Sequence, residues 1–250
     1  MGLFDLFSSS PEKKIEKAKQ VMLNEHHQAQ VRQQAIYDLA QFDNELSAKA
    51  LIERLTVNFR DTIKNEQERG WVRSVLVEQF NERAIEPLKD SLKNASTGSN
   101  TYSVSGIIQV LNDLLDHEPL TLLLIETLTA LAPSDHRTVE LRQQLIDALD
   151  DREGEIVNAL LPYTVDRSDD IRIKVINLIE EKLRGVEGDH SSVIQALISA
   201  MIDPFASGRT ARAAANALIR MSANLEPFLE DLEDQIPEDY VLEKGFLRAK

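Results

Sequence analysis

One step recurs along the chain: an apolar residue followed by Arg, at Val31-Arg32, Val72-Arg73, Leu141-Arg142, Ile171-Arg172 and Ala211-Arg212, with Val104-Ser105 occupying a sixth slot. Three residues beyond each slot stands another apolar residue: Ala35, Leu76, Ile108, Leu145, Val175 and Ala215. Successive slots lie 41, 32, 37, 30 and 40 residues apart. That period fits a unit of two helices and is too long for a coiled-coil heptad. A single helix pair leaves one apolar face open, so neighbouring pairs must stack to cover it. The fold class expected is therefore all-α, an α-solenoid of about six two-helix repeats. Loop insertions account for the uneven spacing.

The helix pairs can be placed by apolar periodicity and punctuation. The first is Glu12–Leu23 with Gln28–Gln41, opened by Ser10 as cap and Pro11 in the first turn. The second is Glu45–Val57 with Glu66–Phe80, across a loop at Asn58–Asn65. The third is Glu82–Lys93 with Tyr102–Leu115, across the loop Asn94–Asn100. The fourth is Leu120–Leu131 with Thr138–Leu149. The fifth is Glu155–Val165 with Asp169–Leu183, and the sixth is Ser191–Ile202 with Arg209–Met221. Leu225–Gln235 starts a further helix. The expected division is an apolar N-terminal segment (1–11), a repeat domain (12–236) and a C-terminal tail (237–250).

These units resemble HEAT repeats, in particular the bacterial HEAT-like type found in phycobilin-lyase-related proteins. The resemblance rests on second helices such as DDIRIKVINLI (Asp169–Ile179) and first helices such as RAIEPLKDSL (Arg83–Leu92). Pro87, Pro162 and Pro227 fall where HEAT first helices tolerate proline. It covers about Glu12 to Gln235, and the opening MGLFDLF followed by SPEKKIEKAKQ is similar to a group of bacterial HEAT-repeat proteins. It implies architecture and leaves function open, because such repeats serve many roles. HEAT-like deoxyhypusine hydroxylases carry several His-Glu pairs on repeated helices around a di-iron site. Here His117-Glu118 alone has that form, so neither the activity nor the metal is carried over.

Composition narrows the function classes. The chain has no cysteine and a net charge of −14. Thiolate chemistry and Cys-ligated metals are excluded, and the fit is to a reducing, cytoplasmic setting. An acidic chain repels phosphate backbones and anionic lipid, so nucleic acid and membrane are disfavoured as partners. Met1–Ser10 lacks the basic start and long apolar core of a secretory signal. Histidines 26, 27, 117, 136 and 190 show no zinc spacing, and no phosphate-binding or nucleophile motif is present. No catalytic residue, metal or cofactor is assigned.

The partner expected is another protein or peptide, a basic one included, bound by a non-enzymatic scaffold. The alternatives are an accessory factor or enzyme of the bilin-lyase-like class and a peripheral membrane adaptor. Two features are candidate contacts. Leu3, Phe4 and Phe7, with Leu6, form a short apolar segment ahead of Ser8-Ser9-Ser10, read as a mobile hook with a folded-back cap as the alternative. Arg209, Arg212, Asn216 and Arg220 share an arc of about 80° on the last second helix. They serve either to pair with acids on Glu226–Asp234 or to bind an acidic peptide or anion. The recurring arginines (Arg32, Arg73, Arg142, Arg172 and Arg212) are expected to be structural pegs, stems in the apolar stripe and heads on a nearby carboxylate or carbonyl. Their face would carry Gln33, Gln34, Asp38, Gln143, Gln144, Asp147 and Asn177.

Overall fold

The computed structural model describes residues 10–95, 103–152, 156–232 and 235–250, with only the backbone of Asp231. The chain forms two compact units, Met1–Thr127 and Leu128–Lys250.

Within the first unit, helices alternate and stack in pairs. Helix α1 (Pro11–Met22) starts at Ser10, whose hydroxyl accepts from the Lys13 amide, and buries Ile15 and Met22. Helix α2 (Ala29–Ala40) buries Arg32 among Ala35, Ile36 and Leu39. Helix α3 (Glu45–Thr56) opens with a reciprocal capping box between Asn44 and Ser47. Helix α4 (Thr62–Val75) begins four residues before the expected start, because Asp61 caps it by accepting from the Lys64 amide. The loop expected at Asn58–Asn65 is correspondingly shorter. The helix then widens into a π-turn at Leu76–Phe80, closed by the Asn81 amide donating to the Leu76 carbonyl. Leu76 and Phe80 are both buried in the core. Helix α5 (Glu82–Asn94) runs through Pro87, and α6 (Ser105–Leu114) and α7 (His117–Thr129) follow. A Cβ at Gly106 would meet Leu55 Cβ and the Leu55 carbonyl at 3.2 Å, so glycine lets α6 approach α3 this closely.

The second unit contains a 3₁₀ turn (His136–Thr138), α8 (Val139–Asp150), α9 (Val157–Leu160), α10 (Asp169–Leu183), α11 (Ser191–Ile202) and α12 (Gly208–Arg220). The fifth first helix is interrupted. After one α-turn it tightens to 3₁₀ over Leu161–Val165, with Pro162 at its start. Tyr163 is buried there and donates its hydroxyl to the Leu128 and Leu131 carbonyls. The helix expected at Leu225–Gln235 reduces to a 3₁₀ turn (Glu226–Phe228) and α13 (Leu229–Leu232).

The stretch expected as a tail is a β-hairpin of β1 (Tyr240–Glu243) and β2 (Phe246–Ala249), paired antiparallel. Lys244 and Gly245 both take positive φ in its two-residue turn. Alternation over so short a stretch is easily missed, but its physical role is clear. Tyr240 and Leu247 are buried, the Tyr240 hydroxyl donates to Asn216 on α12, and the Leu225 amide donates to the Gly245 carbonyl. The hairpin thus packs on α12, the second helix of the sixth pair.

Candidate functional site

Most of the recurring arginines reach forward to an acid of the following repeat. Arg32 meets Glu68 on α4 through Nε (3.0 and 3.1 Å) and Nη2 (2.6 Å). Arg73 meets Asp113 on α6 at 2.5 and 2.7 Å. Arg142 forks onto Asp166 at 2.7 and 2.9 Å. Arg172 holds Asp203 at 2.6 Å and donates to the Asp166 carbonyl. Arg32, Arg142 and Arg172 are buried. Arg73 is half-exposed, and Arg212 lies exposed on the last second helix. A bidentate Arg–carboxylate pair matches planar fork to planar fork, so it fixes the register of two helices as well as their charge.

The first rung is larger than the sequence suggests. Arg54 on α3 also donates to Glu68, at 3.0 and 3.3 Å, and to Asn65 Oδ1 at 2.9 Å. Two cations therefore share one buried carboxylate. The excess charge is spread over the Val57 carbonyl for Arg54 and the Glu25 and His27 carbonyls for Arg32. The Phe59 ring lies 3.9 Å below the Arg54 guanidinium and 5.0 Å from that of Arg32, adding cation–π attraction. Burial, with the neighbouring Arg69 and Arg32 charges, outweighs Glu68 and pulls the Arg54 pKa below its ordinary value. The signal for Arg54 was its spacing from Leu51 and Leu55 on the buried stripe of α3.

The last second helix is clamped to α10 at both ends. Asp169 accepts from Thr210 Oγ1 at 3.0 Å and from the Ser207 amide at 3.4 Å. Burial opposes the Asp169 charge, but these bonds and Arg172 hold its pKa below the usual value. Glu180, almost fully buried, accepts from Arg184 at 3.0 Å and pairs with Arg220 at 3.0 Å. Arg209 stands 3.9 Å from Asp170. Among the described residues, the ion pairs of Arg209 and Arg220 thus run back to α10; of the acids on Glu226–Asp234 that the sequence also offered them, the side chains of Asp231, Glu233 and Asp234 lie outside the described residues. Asn216 is engaged by Tyr240. Leu3, Phe4 and Phe7 lie outside the described residues.

Beside this clamp, α8 and α10 enclose a shallow hollow of about 340 Å³, floored by Ile173 and Leu178 and rimmed by Asp150, Asp170, Asn177 and Glu181. Lys174 crosses it, bound to Asp147 at 2.6 Å and Asp150 at 3.0 Å. In the first unit, Tyr37 and Trp71 are exposed on α2 and α4. Among the described residues no cluster of His, Asp and Glu converges as a metal ligand set, and His117 is exposed. Among the described residues no helix is long and apolar enough to cross a membrane.

These elements define an all-α protein of stacked two-helix repeats. No family model matches the chain, and no curated protein matches it. Among solved structures it is similar to human deoxyhypusine hydroxylase in complex with glycerol. The identity is 14% over 84% of this chain and 86% of that one, with a TM-score of 0.32. A likeness at that TM-score carries no argument about site or activity, so the class rests on the helices described above.

Proposed function

We propose that the chain is a non-enzymatic HEAT-like scaffold that binds another protein through the second-helix face of its C-terminal unit. The partner segment is basic. The observation that carries this reading is the hollow between α8 and α10, where Asp150, Asp170 and Glu181 surround an apolar floor and Lys174 is already held by Asp147 and Asp150. A basic amphipathic helix matches both parts, its apolar stripe on the half-buried Ile173 and its cations on the acidic rim. The buried charges, by contrast, are committed to holding helices together. The net charge of −14 favours encounter with basic proteins generally, and the hollow gives that attraction a place to act.

The test is capture of the tagged chain and of an Asp170→Lys/Glu181→Lys variant from the native cell, followed by mass spectrometry. A basic protein retained by the wild type, lost by the variant and released by raised salt supports the reading. Equal retention by both refutes this surface. Turnover of a small molecule by the purified chain would refute the non-enzymatic assignment.

A further inference from the structure

The two ends of the repeat array are treated differently. At the C-terminal end, α12 is covered by β2, with Tyr240 and Leu247 buried. At the N-terminal end, the outward side of α1 and α2 carries a groove of about 760 Å³ with Ala18, Val21, Val31, Ala35 and Phe42 as its apolar surface. Positions 14, 18 and 21 on α1 and 31, 35 and 38 on α2 follow the i, i+4, i+7 rule of a helix face built for contact, and Phe42 continues the stripe just past the end of α2. Val31 is 43% exposed, although it belongs to the repeat signature. Lys14 and Lys17 edge the groove along α1, and Asp38 lies on the α2 side.

The chain ahead of Ser10 is the nearest candidate to fill it. Met1–Ser9 joins directly to the cap of α1, and Lys14 stands one turn further on. Nine residues can reach about 30 Å when extended. The whole of α1 rises only about 18 Å, so every part of the groove lies within the tether. The chemistry matches as well. Leu3, Phe4, Leu6 and Phe7 surround a single carboxylate, Asp5, and the groove offers an apolar floor with two lysines on its edge. We propose that this groove is the docking surface for the chain's own Met1–Phe7 segment, apolar side chains on the floor and Asp5 toward Lys14 and Lys17. A short tether supplies a local concentration in the millimolar range, so a weak contact suffices to hold it. This assigns the segment as a cap, where the sequence reading favoured a mobile hook.

The absence of cysteine makes an introduced pair unambiguous. Full-length Phe4→Cys/Val31→Cys should form an intramolecular disulfide under mild oxidation at least tenfold faster than Phe4→Cys/Val186→Cys, which places the second thiol on the exposed loop after α10. In a second experiment, a synthetic peptide of residues 1–10 should bind the full-length Phe4→Asp/Phe7→Asp variant. It should bind the wild type at least tenfold more weakly, and Val31→Asp added to that variant should abolish binding. Circular dichroism checks that each variant folds, and Val31 is exposed enough for its substitution to be tolerated. Crosslinking no faster than the control, a crosslinked dimer as main product (a second copy as occupant), or equal peptide binding by wild type and variant would each overturn the proposal.

Discussion

Replacing Glu68 by Gln tests the first rung of the ladder most severely. The change keeps shape and removes the one carboxylate that Arg32 and Arg54 share. Five donor contacts at 2.6–3.3 Å converge on its two oxygens. Breaking a buried ion pair by removing one partner costs about 3–5 kcal/mol, because the orphaned charge stays buried. Here two cations are left, with carbonyls, Asn65 and the Phe59 face to share, so the expected loss is at the upper end, about 4–5 kcal/mol. That is a large part of the roughly 5–15 kcal/mol that holds a typical domain. The only tryptophan, Trp71, lies one turn from Glu68 on α4, so urea unfolding followed by its fluorescence reports on this unit. The comparison is Asp113→Asn, which removes the partner of the half-exposed Arg73 and should cost less than about 1 kcal/mol. If Glu68→Gln cost no more than Asp113→Asn, the cluster would not be the clamp described here.

Other expectations follow from the second unit. Arg172→Ala should lower its denaturation midpoint by the equivalent of about 1–3 kcal/mol, while Arg167→Ala, at an exposed loop position, should leave it within about 0.5 kcal/mol. Equal effects would remove the peg argument. Gly245→Ala places a Cβ 2.5 Å from Glu226 Cγ at a φ of +80°, so hydrogen exchange across the hairpin should speed up, with a local loss of roughly 1–3 kcal/mol. Unchanged exchange would show that the hairpin does not need this turn. Burial pushes the Tyr163 hydroxyl up to about 12 from an ordinary 10.0. A raised folded pKa gives stability that is complete below pH 10 and lost as pH rises through 12, about 2–3 kcal/mol in all. Tyr163→Phe should flatten that alkaline slope, and an unaltered slope would assign it to other groups.

Most helices were legible because apolar spacing and caps act locally. The pair Ser191–Ile202 and Arg209–Met221 differs from α11 and α12 by at most one residue. What was missed depends on partners far away in sequence. The π-turn at Leu76–Phe80 has no local mark in the sequence, and Pro162 stands in a segment that turns 3₁₀ while Pro87 leaves α5 continuous. The arginines were visible, but their acids were not. Asp166 and Asp203 sit in loops and Glu68 in a polar run, and nothing local marks them among 42 acidic residues. The acidic hollow was foreshadowed by the density of acids from Asp147 to Asp170, yet bringing Asp150 of α8 to the rim of α10 needed the two helices side by side.

The forward reach of the arginines has a consequence for the chain as it is made. Each cation is synthesised before its counter-ion, which follows 36 residues later for Arg32, 40 for Arg73, 24 for Arg142 and 31 for Arg172. At about 5–20 residues per second, that interval is roughly one to eight seconds on the ribosome. During it, a newly emerged helix pair holds an arginine that still lacks its counter-ion. Each repeat therefore matures only when the next one arrives, and folding trails translation by one unit. On α12, which the β-hairpin covers, Arg212 is the one signature arginine of the five left exposed.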